Sequence, residues 1–334
     1  MSIRNKKPFF ILALLLVALV ACFPGSNSAS GITILPALKS AGLQGSLQGS
    51  LQGGLVFVEF GQHGSRLLRL DLASGKLQAL FSAPDRSWLA SAAVAPDGKT
   101  ILIAYAPPPP KSQVQLSNTD LYTLPMDGSG APTLLLEHKA VNESYFTPTW
   151  SPDGQYIYYT HNIPNASART GVDSVIERMR MPGAPGTAQV VARNSIWPAL
   201  SPDGTRLAYL TLSAYTSVDR LTLASADGSN PVEGLPATQV NTVDAHFYAP
   251  DGKTIYYSTI NETSATPATA APAPQGLLAP FLFGPRPVQA HNIPSDWFRV
   301  TLDGQQQITQ VTTLHNTQLA GSFSPDGQWI AFIS

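Results

Sequence analysis

From Leu55 onward the chain alternates short apolar runs with tight polar clusters. The runs include Thr100-Ile101-Leu102-Ile103-Ala104-Tyr105, Tyr156-Ile157-Tyr158-Tyr159, Arg206-Leu207-Ala208-Tyr209-Leu210, Thr254-Ile255-Tyr256-Tyr257 and Trp329-Ile330-Ala331-Phe332. They are too short for helices and rich in β-branched and aromatic residues, so they predict strands. Shorter apolar segments precede them, such as Phe146-Thr147-Pro148-Thr149-Trp150 and Ala245-His246-Phe247-Tyr248.

Between each such pair lies the same tripeptide. Pro-Asp-Gly occurs with its aspartate and glycine at Asp97-Gly98, Asp153-Gly154, Asp203-Gly204, Asp251-Gly252 and Asp326-Gly327, each time after Ser or Ala. Proline pre-sets φ in a turn, aspartate caps the turn backbone, and glycine takes the positive φ that closes a hairpin. Recurrence at intervals of roughly 50 residues marks an internal repeat. A second hairpin follows in the unit, as in Leu121-Tyr122-Thr123-Leu124 to Asp127-Gly128 to Leu134-Leu135-Leu136. The unit is therefore four antiparallel strands with two tight turns, which is a propeller blade.

An apolar or aromatic residue, then Ser-Pro-Asp-Gly, then a strand ending in Tyr-Tyr or Ala-Phe resembles the TolB-like, WD-like propeller repeat. Residues 150–159 and 323–332 carry it most clearly. The resemblance covers 55–334 and implies an all-β propeller domain there; its matching residues belong to turns and core. Counting strands gives 21, against 20 for five blades and 24 for six. Five blades are expected, the alternative being six with incomplete terminal blades. Closure could join strands from both ends in one blade, which would protect the sheet edges.

The N-terminus follows a different pattern. Arg4, Lys6 and Lys7 precede an unbroken apolar stretch from Phe9 to Val20, ending in Leu19-Val20-Ala21-Cys22. This reads as a signal peptide over 1–21. Cys22 is the only cysteine, so it has no internal disulfide partner. Its setting resembles a bacterial lipobox, which implies lipidation of Cys22; an ordinary secretory leader is the other reading. Residues 22–54 read as a flexible Gly/Ser/Gln linker in which Leu-Gln-Gly recurs three times. The expected location is the extracytoplasmic side of a cell membrane, periplasmic or surface-exposed, held by the lipid.

Charge narrows the partners. Removing the leader takes the net charge from −1 to −4, and no Lys/Arg cluster remains, so nucleic-acid binding is not expected. A phosphate loop, a nucleophile elbow and a His-Glu-x-x-His zinc motif are all missing. The five repeat aspartates stand a whole blade apart, beyond the 5–10 Å or so at which carboxylates work as a pair. They are read as structural turn residues. With six histidines, none at i,i+4, no metal site or cofactor is expected.

The tight turns should share one face of the propeller, leaving the long loops near 106–118, 161–173, 211–219 and 260–296 on the other. Binding residues concentrate on loops over a rigid scaffold. His161-Asn162-Ile163-Pro164 recurs as His291-Asn292-Ile293-Pro294, and the insertion at 262–290 contains Phe281 and Phe283 in an apolar run. His161, Asn162, Phe281, Phe283, His291 and Asn292 are the candidate binding face. The expected function is non-enzymatic: a membrane-tethered scaffold that binds an envelope protein or peptide. The family resemblance puts a protein partner ahead of a small molecule. A propeller hydrolase or lyase using loop carboxylates, or a glycan-binding protein, is the alternative.

Overall fold

The computed structural model describes residues 53–61, 64–72, 74, 76–110, 118–168, 170–183, 186–213, 220–235, 243–259, 295–304, 306–313, 320–323 and 330–333. These residues form 21 strands and no helix. Strands β1 (Gly54–Gly61), β2 (Gly64–Asp71) and β3 (Leu77–Ser82) make an antiparallel sheet. Four four-stranded meanders follow. They are β4 (Trp88–Val94), β5 (Thr100–Ala106), β6 (Asp120–Pro125) and β7 (Thr133–Leu136); then β8 (Ser144–Trp150), β9 (Tyr156–Pro164), β10 (Val172–Arg180) and β11 (Gln189–Arg193). The next is β12 (Ser195–Leu200), β13 (Arg206–Thr211), β14 (Arg220–Ser225) and β15 (Val232–Glu233). The last is β16 (Val243–Tyr248), β17 (Thr254–Thr259), β18 (Asp296–Thr301) and β19 (Ile308–Gln310).

The fold is a five-bladed β-propeller, as the repeat predicts. The hairpin β20 (Ala320–Phe323) with β21 (Ile330–Ile333) follows the fifth blade, and β20 lies against β16. First strands meet one another from blade to blade, β4 with β8, β8 with β12 and β12 with β16, so they form the inner wall. One expectation about closure differs. β1–β3 and β20–β21 are separate sheets rather than one shared blade. The reason is positional: β1 touches β4 as β5 touches β8, so β1 already holds a second-strand place, the place that β21 holds in its own hairpin.

The second strands explain the apolar runs. Ile101 to Ala104, Ile157 to Tyr159, Leu207 to Leu210 and Ile255 to Tyr257 are all buried. Each blade packs a neighbour on both faces, so both sides of these strands must be apolar and alternation disappears. Leu102 and Ala104 meet Ile157 and Tyr159 between the second and third blades; Leu210 and Ala208 meet Ile255 and Tyr257 between the fourth and fifth.

The repeat turns are built as hairpin closures. Gly154 N–H donates to Ser151 O (2.8 Å) and Gly204 N–H to Ser201 O (2.8 Å). Asp97, Asp153, Asp203 and Asp251 accept through Oδ1 from the backbone N–H of Lys99, Gln155, Thr205 and Lys253, at 2.9, 3.0, 3.0 and 2.7 Å. Ser201 Oγ–H also donates to Asp203 (2.6 Å), which with the turn N–H holds that carboxyl down at about 2. Successive turns interlock. A Cβ added to Gly204, where φ is +70°, would lie 3.3 Å from Cδ of Pro152 in the preceding blade. Asp326 and Gly327 lie outside the described residues.

Candidate functional site

Antiparallel order places the β1–β2 and β9–β10 hairpins, together with the blade-to-blade crossings, on the face opposite the Pro-Asp-Gly turns. The β9–β10 hairpin has the longest strands among the described residues, nine residues in each. Its tip is closed by Asn165 N–H to Gly171 O (2.9 Å), and Asn165 Nδ2 donates to Asp173 Oδ2 (2.8 Å).

Along β9 the side chains alternate. Ile157 and Tyr159 enter the core shared with the second blade, so His161, two residues on, points the same way at the edge of that core. There it meets two carboxylates. His161 Nε2 is 3.0 Å from Glu143 Oε1, and Nδ1 is 3.2 Å from Glu177 Oε1 in a close ion-pair contact. The Tyr145 ring stacks on the imidazole, with centroids 4.5 Å apart and planes 27° apart. The His161 side chain is only 12% exposed. Burial works against its charge, but Glu177 and Glu143 outweigh it and raise the pKa above the ordinary value. Burial also pushes the Glu143 carboxyl up, yet the Lys139 and Ala140 amides and His161 outweigh that and hold it below the usual range.

Glu143 organises the crossing from the second to the third blade. Its Oε2 accepts from the backbone N–H of Lys139 (2.7 Å) and Ala140 (2.9 Å). At the other end of the crossing, Asp120 Oδ1 accepts from His138 N–H (2.7 Å) and contacts His138 Nδ1 at 2.7 Å. Asp120 is buried, and desolvation raises its pKa despite His138. Thr119 Oγ1–H donates to Tyr145 O (2.5 Å) and Tyr145 N–H to Thr119 O (2.9 Å), which stitches the two blades beneath the crossing.

Of the expected binding residues, His161 and Asn162 are described, and both are engaged within the fold. Asn162, on the opposite side of β9, accepts from Ser174 Oγ–H through Oδ1 (2.7 Å). Phe281, Phe283, His291 and Asn292 lie outside the described residues. Sequence reasoning missed His138, Glu143, Tyr145 and Glu177 as members of a site. One signal was available: Glu177 sits between Val175 and Met179 in β10, two positions from each, and both are buried, so a carboxylate occupies an apolar register.

Exposed large apolar residues add a second feature. Leu77, Leu134, Val190 and Val232 lie on the outermost strands β3, β7, β11 and β15. Phe60, Val141 and Ile163 lie at the long-loop face, on the first hairpin, the crossing and the β9–β10 hairpin, with exposures of 59%, 68% and 36%, whereas Val94 alone (37%) lies beside a Pro-Asp-Gly turn among the described residues. Among the described residues, no group of three or more His, Cys, Asp or Glu is arranged to hold a metal ion.

No protein-family model matches this chain, and no curated protein matches it. Solved structures do. TolB from Acinetobacter baumannii is similar over 79% of this chain and 52% of its own length, with 12% identity and a TM-score of 0.54. A TolB described as putative, from Agrobacterium tumefaciens, is similar over 84% of this chain and 86% of its own, with 17% identity and a TM-score of 0.52. A prolyl endopeptidase is similar over 81% of this chain and 37% of its own, with 17% identity and a TM-score of 0.48. At these identities the likeness is one of fold: this is a TolB-like β-propeller. The chain spans about half the length of the first of these structures.

The expectation that the chain is not an enzyme is corrected. A likeness to TolB at 12–17% identity shows the fold alone, so enzymatic status is unresolved. The physical reason is that a propeller is a scaffold on which unrelated sites are built. Missing linear motifs do not exclude catalysis where carboxylates and histidines meet only through strand pairing, as Glu143, His161 and Glu177 do.

Proposed function

We propose that this chain is a membrane-tethered propeller that binds an envelope protein or peptide on its long-loop face. The supporting observation is the placement of Phe60, Val141 and Ile163, three exposed apolar side chains on two hairpin ends and a crossing of that face. Large apolar groups on a scaffold surface mark contact sites when they gather on one face. The opposite face is occupied by turns whose polar groups bond their own backbone. The fold is shared with TolB structures, which supports a protein partner. Cys22 supplies the tether, and the linker up to residue 54 holds the propeller off the bilayer.

The test is crosslinking on intact membranes followed by purification of the full chain. A defined partner should copurify with the wild type and be lost from the triple variant Phe60→Ser, Val141→Ser, Ile163→Ser. That variant should melt close to the wild type, because the three side chains are exposed. A chain recovered alone from the wild-type membranes at every condition would overturn the proposal.

A further inference from the structure

We propose that His161 is a protonation clasp that holds the crossing between the second and third blades, and with it the position of Val141 on the long-loop face. This deepens the docking reading above, since it names how that face would be regulated.

The geometry carries the argument. Nε2 makes a hydrogen-bond contact with Glu143, and Nδ1 lies within ion-pair distance of Glu177, at 3.2 Å, without hydrogen-bond alignment. Only the imidazolium is positively charged, so only that form attracts both carboxylates at once while its Nε2–H serves Glu143. Loss of one proton leaves an uncharged ring between two carboxylates in a site only 12–14% exposed, and its hold on Glu143 is no longer charge-assisted. Tyr145 covers the imidazole ring on one side. Tyr159 lies one residue pair below on the same face of β9, opposite Glu177. Asp120 and His138 are the titratable groups that face the crossing from the second blade.

The clasp reaches the surface through Glu143. One of its carboxylate oxygens takes His161; the other holds the Lys139 and Ala140 amides. Those amides open the turn that displays Val141, in which Glu143 N–H returns to Ala140 O (3.1 Å) and Asn142 has φ +69°. Losing the His161 proton therefore weakens the partner that orients Glu143, and the exposed turn loosens. The sign follows from the raised pKa of His161. The contribution is complete below the ordinary histidine value near 6.5 and is lost as pH rises through the higher folded value.

Hydrogen exchange of the full chain, corrected for the intrinsic pH dependence of exchange, reads this directly. Protection of the Lys139 and Ala140 amides should fall several-fold as pH rises through the His161 titration, itself followed by NMR of ring-labelled histidine. In Glu177→Gln the midpoint should move down in pH. In His161→Gln protection should be low and independent of pH. The readout needs no partner, so it separates failure of the clasp from failure of the docking reading. Unchanged corrected protection of these amides across the wild-type titration would overturn the clasp, as would an unshifted midpoint in Glu177→Gln, even if His161→Gln proved too unstable to study.

Discussion

The second tight turn of a blade docks on the outer strand of the blade before it, and three glycines grade how closely. Gly228, in the β14–β15 turn, has φ +86°, and its N–H donates to Ser225 O (2.8 Å). An added Cβ would overlap the carbonyl oxygen of Val191 in β11, with Val191 C at 2.7 Å and Cα at 3.1 Å. Those are backbone atoms of a bulge residue, held between the paired Val190 and Ala192, and unlike a side chain they cannot rotate away. Gly128 in the β6–β7 turn is less tight, with Leu80 Cα at 3.3 Å from the added atom, and Gly304 in the β18–β19 turn meets nothing within 4 Å. All three have positive φ, so alanine costs each about 1–2 kcal/mol for the left-handed backbone alone. Forcing the backbones apart adds about 1–3 kcal/mol at Gly228. The expected order of destabilisation is Gly304→Ala, then Gly128→Ala, then Gly228→Ala, with the extremes about 1–3 kcal/mol apart. Urea unfolding followed by tryptophan fluorescence measures the differences. Equal losses at Gly304 and Gly228 would refute the claim that turn docking holds adjacent blades together.

Two further expectations concern acid stability and the tether. Both ring nitrogens of His246 in β16 are buried, and burial pushes its pKa down to about 4 despite the backbone of Ala208 and Trp197 beside it. The unfolded chain then binds the proton more readily, so stability falls as pH drops from about 6.5 toward 4, by up to about 3 kcal/mol. His246→Leu should remove that part of the slope between pH 7.5 and 4, and parallel stability curves for variant and wild type would count against it. For the tether, Cys22→Ala expressed in a bacterial envelope should lose labelled-lipid incorporation and leave the membrane fraction; equal labelling would place the lipid elsewhere.

Much of the fold was legible because propeller blades repeat their local chemistry. The Pro-Asp-Gly turns and flanking apolar runs located four of the inner hairpins within the described residues, since turn preference and double-sided burial both leave marks in the order of residues. The inner-strand bulges were harder to see. β8 shifts register between Phe146 and Thr149, and β12 between Ile196 and Ala199. Each shift brackets a proline, Pro148 or Pro198, which has no N–H for the ladder. The residues before them, Thr147 and Trp197, adopt φ of +44° and +59°. Their N–H groups turn to the preceding blade, to Ser91 Oγ (3.2 Å) and Thr160 Oγ1 (3.0 Å). A proline inside a strand was the clue, but its hydroxyl partner comes from another blade. The site was hidden for the same reason. His161 drew notice through its repeated tetrapeptide, whereas Glu143 and Glu177 lie 18 and 16 residues away and meet it only once β8, β9 and β10 pair.

The division of labour between the two faces follows from how the blades are joined. On the turn face, neighbours are in mutual contact through the repeat itself: the would-be Cβ positions of Gly154, Gly204 and Gly252 lie 4.0, 3.3 and 3.8 Å from Cδ of Pro96, Pro152 and Pro202 in the blades before them. Changing one turn there disturbs two blades, so this face has little freedom to acquire a site. On the long-loop face the hairpins end beyond the inter-blade core, and the second and third blades are joined there by single contacts such as Thr119 with Tyr145 rather than by a repeated turn. A loop there can gain an apolar tip, as the crossing does with Val141, without altering the core beneath it. The described chemistry on that face, three exposed apolar residues and one carboxylate-bound histidine, is therefore where recognition and its control by pH can be built together.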